Sequence, residues 1–478
     1  MRRSARRTLT SLDKRTDIIR FGVDGWQARF ADGFDEEGVA RVADALGLLW
    51  SREAPGASVY VGYDTRHGSA DFARLVAGVL AARGLEVVVS DCACPTPAVA
   101  WSCAHDERAV GAVVLTASEL SCEYGGVLVR GADGGPASRA FLDEVEQAIP
   151  TVATDERGPY EARDLVSPYL SALLAFVDRK LIAAVRPKVV VDAMYGAGTT
   201  HLARVLDEAG CEVVEIHVER REDFGGIHPE PQDPWADACE QAVVAHGAQM
   251  GLLLDGDGDR ASVVDEQGVI IPARTLTPLV MGQLVEGHGL SGRVVMTLTC
   301  SACVMRQAER LGCDVSVVPV GFPRIYRELL EGDVLMGVEE YGGISVPSHL
   351  NERDGLLVCL LAVECLCRAG GEMSSVVGSL SESIGSMRYA RRDVRLEPAA
   401  GQAFRNVLPG LNPSSLAGRK PVEVSHADGL RLQFDDGSWA LVRPSRTGSA
   451  VRVYAEAPTE RERDALLSAA LALARRGV

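Results

Sequence analysis

The stretch "LLLDGDGDR", Leu252 to Arg260, runs from three leucines straight into an aspartate at every second position. An apolar run cut short by Asp and Gly predicts a buried strand followed by a tight loop. Gly256 and Gly258 let the backbone fold closely, so the carboxylates of Asp255, Asp257 and Asp259 can converge. Carboxylates held together repel unless a cation lies between them, and a hard divalent ion such as Mg2+ takes oxygen ligands of this kind. Arg260 follows and can pair with a carboxylate or a phosphate. Two plainer readings compete. One is a hairpin turn rich in Asp and Gly; the other is an EF-hand, whose twelfth-position residue would be Glu266 but which lacks flanking helices.

Outward from this loop the pattern repeats. "KVVVDAMYGAG", "THLARVLDEAG" and "CEVVEIHV" read as strand, helix and strand ahead of it. Earlier come "SVYVGYD" (Ser58–Asp64), the helical "SADFARLVAGVLAARGL", "EVVVSD" and "AVGAVVLTAS". Later come "GRVVMTLT", the helical "SACVMRQAERLG", "DVSVVPV" and "DVLMGVEE". Strand, helix, strand at this spacing predicts βαβ units and mixed, mainly parallel sheets. The C-terminal part differs: "GLRLQFDDGSWALVRPS" and "AVRVYAEA" predict an antiparallel sheet, and "PTERERDALLSAALALARRG" a helix ending on Arg-Arg-Gly. A chain of 478 residues exceeds one core. The division expected is three consecutive α/β domains, 1–155, 156–263 and 264–378, then an α+β domain, 379–478. "DERGPYEARD" is the first linker.

Composition narrows the function classes. A net charge of −17 argues against a general nucleic-acid binder. No run reaches the ~18 apolar residues of a membrane span. The basic N-terminal arm leads into no apolar segment, so no secretory signal is read and a cytoplasmic location is expected. The twelve cysteines lie in apolar or helical contexts, as reduced thiols do. Cys300 and Cys303 form a CxxC without a second pair, which reads as packing at a helix start.

In parallel sheets ligands collect at the carboxyl ends of strands, and each unusual loop here follows one. "LTASELSCEYGG" (Leu115–Gly126) places Ser118 after an apolar run, as a nucleophile or as an ordinary hydroxyl. "GVEEYGG" (Gly337–Gly343) sets two carboxylates, Glu339 and Glu340, where vicinal sugar hydroxyls could donate to them. "RPSRTGSAVR" offers Ser445, Thr447 and Arg452 beside Gly448, with Arg443 and Arg446 adding charge, as a phosphate nest.

Taken in order, a serine loop, a triple-Asp loop, a Glu-Glu-Gly loop and an Arg/Ser/Thr loop resemble the α-D-phosphohexomutase superfamily. Collinear matches include "FGVDGWQA", "VGYDTR", "TPAVAW", "VVDAMYGAG", "FGGIHPEP", "DGDGDR", "VPVGF", "NERDGLL" and "VRVYAEA". The resemblance implies three related α/β domains and a fourth that closes a central cleft. It implies that Ser118 is the phosphoserine that shuttles a phosphoryl group, and that Asp255, Asp257 and Asp259 hold one Mg2+ that also touches the serine phosphate. Glu119 and Arg260 would act beside them. Glu339, Tyr341 and Gly342 would meet the sugar, and Arg443, Ser445, Thr447 and Arg452 its phosphate. A sugar phosphate, a hexose bisphosphate activator and a monomer or homodimer complete the expectation.

The departures bear on mechanism. Where the family usually reads TASHNP, this chain has "TASELS", with Glu119 for His, Leu120 for Asn and Ser121 for Pro. Leu128 and Pro323 stand where Lys is usual, and Gln27 where Arg is. Tyr341 replaces Ser, Arg446 replaces Gly and Gly448 replaces Glu. The lost groups are those expected to move protons, and general acid–base catalysis is worth ~10² to 10⁴ in rate. The chain has four lysines, Lys14, Lys180, Lys188 and Lys420, although Arg130 and Arg324 lie close in sequence to two of the lost positions. Glu119 would repel a phosphoserine unless it serves as a base or is protonated. The expected function is therefore a divergent sugar-phosphate mutase. The alternatives are a phosphotransferase or phosphatase in which Glu119 activates water, and a catalytically impaired sugar-phosphate binder.

Overall fold

A computed structural model describes residues 19–23, 25–444 and 450–476. Most of the N-terminal arm lies outside them, as do Ser445, Arg446, Thr447 and Gly448 of the expected phosphate loop and the terminal Gly477. Four sheets follow one another along the chain. In the first, the strands run in the order Trp26–Arg29, Tyr124–Gly131, Ala109–Leu115, Ser58–Tyr63, Glu86–Ser90 and Glu161–Arg163. Its centre is parallel, with an antiparallel hairpin at one side. The second and third sheets repeat the plan: a parallel heart flanked by antiparallel strands. The fourth is antiparallel throughout and is backed by the helix Glu460–Arg476.

Two elements differ from expectation. The linker "DERGPYEARD" supplies a short strand, Glu161–Arg163, that pairs in parallel with Glu86–Ser90 and completes the first sheet. The strand Arg388–Arg395, "RYARRDVR", forms one edge of the last sheet against Ala450–Ala457. Its charges fall on both faces, so it carries no alternation to read.

One apolar cluster runs through the first three sheets, joining Tyr60 and Val99 to Leu173, Leu252, Leu276 and Leu360. At its middle lies the helix Gly355–Ala369, in which every residue from Gly355 to Cys367 is buried. A helix apolar on all sides belongs in the interior, and here it packs between the second sheet's strands Met250–Leu254 and Ala261–Asp265 and the third domain's helix Ala273–Gly282. Asp354 caps it by accepting from the Leu357 N–H at 2.9 Å and also holds the Tyr169 hydroxyl at 2.7 Å. The C-terminal domain has its own core of Phe404, Phe434, Val453 and Leu466. All twelve cysteines are free. Cys300 and Cys303 are buried, and Ser301 caps the helix Ala302–Leu311 between them by accepting from the Cys303 N–H at 3.1 Å.

The first and third sheets are also joined by charge. Arg130, on Tyr124–Gly131, lies 2.6 Å from Glu352, on Leu350–Arg353, and both side chains are buried. Arg130 is therefore committed, and does not replace a lost lysine in the cleft. Removing one partner of a buried pair typically costs roughly 3–5 kcal/mol. Arg130→Ala is expected to lower the unfolding free energy from urea titration by an amount of that order, with Arg130→Met/Glu352→Leu recovering most of it.

Candidate functional site

The strand Ala109–Leu115 delivers Thr116, Ala117 and Ser118 to the carboxyl edge of the first sheet. Ser118 is buried and has a φ of 51°, a left-handed conformation that side chains rarely adopt without support. Its N–H donates to Thr116 Oγ1 at 2.9 Å. Its hydroxyl donates to Asp255 Oδ2 at 3.1 Å. Arg66 supplies the support from beneath. The guanidinium donates to the carbonyls of Ser118, Ser121 (2.8 Å) and Tyr124 (3.3 Å), pairs with Asp64 at 2.9 Å, and lies over the Phe224 ring at 4.8 Å. Such a rigid fork of five donors suits several carbonyls at once, which an ammonium group could not hold in one geometry.

The acidic loop joins the antiparallel strands Met250–Leu254 and Ala261–Asp265, so it is a hairpin loop. It is not a solvated one. Asp255, Asp257 and Asp259 have no exposed surface, and a ligand oxygen from each lies within 4.8 Å of the others. Asp255 Oδ1 accepts from the N–H groups of Asp259 (3.0 Å) and Arg260 (3.1 Å). Thr96 donates to Asp257 Oδ2 at 2.6 Å, while Asp257 Oδ1 has no hydrogen-bond partner among the described residues. Arg353 reaches Asp259 Oδ2 at 2.6 Å. Burial pushes the Asp255 carboxyl well above the usual range, with Asp259 and Asp257 adding to it. Burial and then the charge of Asp259 push Asp257 up to about 7. Three mutually repelling buried carboxylates with an orphaned oxygen fit a divalent cation. The EF-hand reading does not hold, because Glu266 follows the second strand and accepts from the Ser374 N–H at 3.1 Å instead.

Backbone contact joins the two loops. The Cβ of any residue replacing Gly256 would stand 2.5 Å from the Ser118 carbonyl oxygen, so only glycine lets the serine approach the carboxylates this closely.

Glu119 does not stand alone beside the serine: Arg260 Nη1 lies 2.7 Å from its carboxylate. Burial would raise this carboxyl, but the charge and hydrogen bond of Arg260 draw it down to about 2. Arg260 also lies 3.6 Å from Asp255 and so bridges the serine and acidic loops. The positions that usually carry lysine are structural. Leu128 is buried in its strand and Pro323 opens the helix Phe322–Leu329.

The Glu-Glu loop follows the strand Val334–Val338. Gly342 has a φ of 83° and packs against the Ala261 carbonyl, where a Cβ would meet oxygen at 2.4 Å. Glu339 pairs with Arg353 at 2.9 Å, and Glu340 lies 3.7 Å from Arg391. Arg391 comes from the C-terminal domain, donates to the Tyr341 hydroxyl at 2.8 Å and forks onto Asp393 at 2.8 and 2.9 Å. Arg443 is buried and pairs with Asp428 at 2.7 Å, and Arg452 lines the cleft. Ser445 and Thr447 lie outside the described residues. A cleft of about 860 Å³ is lined by Glu119, Arg260, Glu339, Tyr341, Arg391 and Arg452 among others. Sequence reasoning missed three working arginines. Arg66 and Arg353 sit inside the quoted segments "VGYDTR" and "NERDGLL", while Arg391 lies in the charged edge strand and left no signal.

Comparison with known proteins agrees with this arrangement along the whole chain. The phosphoglucomutase/phosphomannomutase α/β/α domains I, II and III match residues 19–156, 167–268 and 275–383, and the C-terminal domain of that family matches 397–474. A phosphoglucomutase/phosphomannomutase of Thermococcus kodakarensis is 30% identical over 92% of this chain and 95% of its own length. A phosphopentomutase of the same organism is 27% identical over 94% of this chain and 96% of its own. A crystal structure from Thermus thermophilus, assigned there as a phosphomannomutase, superposes with a TM-score of 0.84 at 32% identity, covering 96% of this chain and 99% of that one.

The Gly256 contact can be tested directly. Gly256→Ala must displace the Ser118 backbone, and a shift near 1 Å at a reacting group costs ~10²-fold. We expect at least that loss in the rate of Ser118 phosphorylation, with an unchanged circular dichroism spectrum.

Proposed function

The chain belongs to the phosphoglucomutase/phosphomannomutase family, and we propose that it moves a phosphoryl group within a hexose phosphate by way of Ser118, with one Mg2+ in the acidic loop. The observation that carries this reading is the 3.1 Å contact between the Ser118 hydroxyl and Asp255, one of three buried carboxylates whose neighbour Arg260 lines the cleft. When bound, Mg2+ would supply the positive charge that neutralises phosphoryl oxygens during transfer. Asp255, Asp257 and Asp259 would hold it.

The chain's own residues do the rest. Phosphoryl transfer depends on positioning and charge more than on covalent chemistry. Arg66 fixes the serine backbone, and Arg260 brings a second positive charge beside it, already balanced by Glu119. Arg391, Arg452 and Tyr341 line the far side of the cleft, where the non-reacting phosphate and sugar of the substrate would lie. A hexose 1,6-bisphosphate would prime the serine. The phosphatase alternative rested on Glu119 activating water, and a carboxylate ion-paired at 2.7 Å is poorly suited to that task.

Intact mass measured with Mg2+, before and after glucose 1,6-bisphosphate, tests the reading. The expected result is a gain of one phosphoryl group that Ser118→Ala lacks, with interconversion of glucose 1-phosphate and glucose 6-phosphate and little free phosphate. No gain under any condition overturns it. Saturating Mg2+ is expected to raise the unfolding temperature, since ligand at about 100 times Kd adds ~2.7 kcal/mol. Asp257→Asn should blunt that rise, read by differential scanning calorimetry.

A further inference from the structure

One chemical need is unmet by the residues named so far. A hydroxyl that attacks phosphorus must lose a proton, and the family positions that usually carry His and Lys hold Glu119, Leu128 and Pro323. Of the carboxylates that line the cleft, Glu119 and Glu339 are held by Arg260 and Arg353. Glu340 lies beside Arg391, Asp464 pairs with Arg463 at 2.9 Å, and Asp233 is exposed. The tyrosines of the cleft, Tyr341, Tyr389 and Tyr454, are pushed upward by burial and cannot serve as bases near neutrality. His228 is exposed and stacks on Trp235 at 5.0 Å.

Glu230 is different. It is half-buried in the cleft wall, accepts a hydrogen bond from Gln232, and forms no ion pair among the described residues. Its backbone is rigid: Pro229 and Pro231 flank it, its N–H donates to the His228 carbonyl at 2.8 Å, and its own carbonyl accepts from Gln232 at 2.7 Å. The Pro229 carbonyl accepts from the Gly256 N–H at 3.2 Å. Gly256 is the residue whose bare Cα faces both the Ser118 carbonyl and the Pro229 ring. The segment that carries Glu230 is thus fixed to the junction of the serine and acidic loops.

We infer that Glu230 is the proton-transfer residue of the phosphoryl exchange, an inference that rests on the mutase reading above. The substrate hydroxyl gives its proton to the Glu230 carboxylate as its oxygen forms the new bond to phosphorus. The Ser118 Oγ–P bond breaks with its electron pair on Oγ, and Glu230 hands the proton on to Oγ through cleft water. When the substrate has turned, Ser118 attacks the other phosphate as its proton passes back through that water to Glu230. Protonated Glu230 then gives its proton to the departing sugar oxygen. Each half-reaction balances, and the carboxyl ends as it began.

The charged surroundings suit the task. The groups facing Glu230 are Glu119, Arg260, His228 and Arg391. Burial first, then the charge of Glu119, raises the Glu230 carboxyl above the usual glutamate range, against the pull of the other three. A base of raised affinity accepts a proton more readily.

The test uses the full chain with Mg2+, glucose 1-phosphate and catalytic glucose 1,6-bisphosphate. The wild type and Glu230→Gln are compared from mildly acidic to mildly basic pH. The expected result is a ~10²- to 10⁴-fold fall in kcat with little change in KM. The acidic limb of the kcat/KM profile, where the base becomes protonated, is lost with it. Should Glu230→Gln not fold, Glu230→Asp decides: its shortened reach should lower kcat at least ~10-fold while the limb persists. Wild-type rate and profile in either variant overturn the inference while the mutase reading stands. A wild type that neither takes a phosphoryl group on Ser118 nor turns over overturns both.

Discussion

Three carboxyl groups gathered within 4.8 Å and shut off from water stay ionised together only inside a shell of positive charge. That constraint organises the molecule around the acidic loop. Arg260 faces Asp255 and reaches Glu119 in the first domain. Arg353 faces Asp259 and reaches Glu339 in the third. The same two guanidiniums that make the aspartates tolerable therefore fix the serine loop and the Glu-Glu loop relative to them. Buried ion pairs add little net stability against an apolar alternative. Here they set distances, and a cation between the carboxylates would complete the shell from inside.

The departures from the family's usual residues form a consistent set when seen this way. Glutamate in place of histidine after Ser118 would be an electrostatic fault in isolation, but it meets Arg260 and becomes its counter-ion. The second carboxylate pair behaves alike: Glu339 is occupied by Arg353, and Arg391 from the last domain meets Tyr341 where a serine is usual. The cleft has exchanged small hydrogen-bonding side chains for larger ones already engaged with one another. Among the described residues the Glu340 Oε2 and Tyr389 hydroxyl atoms of that wall have no hydrogen-bond partner, so a sugar entering it could meet them as well as tyrosine faces and the edges of held arginines.

Much of this was legible in the sequence, for physical reasons that differ from place to place. Apolar runs ending at "DGDGDR", "TASEL" and "VEEYGG" declared strands and the loops after them, because period and punctuation are local properties. The acidic triad was legible as a candidate metal site because three like charges at alternate positions make little sense without a cation. The roles of Arg66, Arg130 and Arg353 were not, since nothing in the chain says which carboxylate or carbonyl a buried arginine will meet far along the sequence. The partner of Glu119 was hidden for the same reason: Arg260 stands in another domain and comes beside it only after folding. The strand Arg388–Arg395 escaped notice because an edge strand needs one apolar face at most, and this one spends its side chains on the cleft and on solvent.

Loss of the usual lysine and histidine need not abolish phosphoryl transfer. Acid–base assistance contributes ~10² to 10⁴ in rate, whereas placement of the reacting groups and neutralisation of the phosphoryl oxygens supply more. Both larger contributions remain in this chain. Gly256 and Arg66 fix the serine against the acidic loop, and the triad would hold the cation that, with Arg260 nearby, supplies the electrostatics. What the substitutions remove is the smaller contribution, a proton acceptor, and a carboxylate can provide one if it is desolvated and not neutralised by an arginine. Glu119 fails the second condition because it serves the charge shell. The architecture thus assigns the acids of its cleft by their partners: those paired with arginine hold the site together, and Glu230, on a rigid strap with no ion pair among the described residues, is free to exchange a proton.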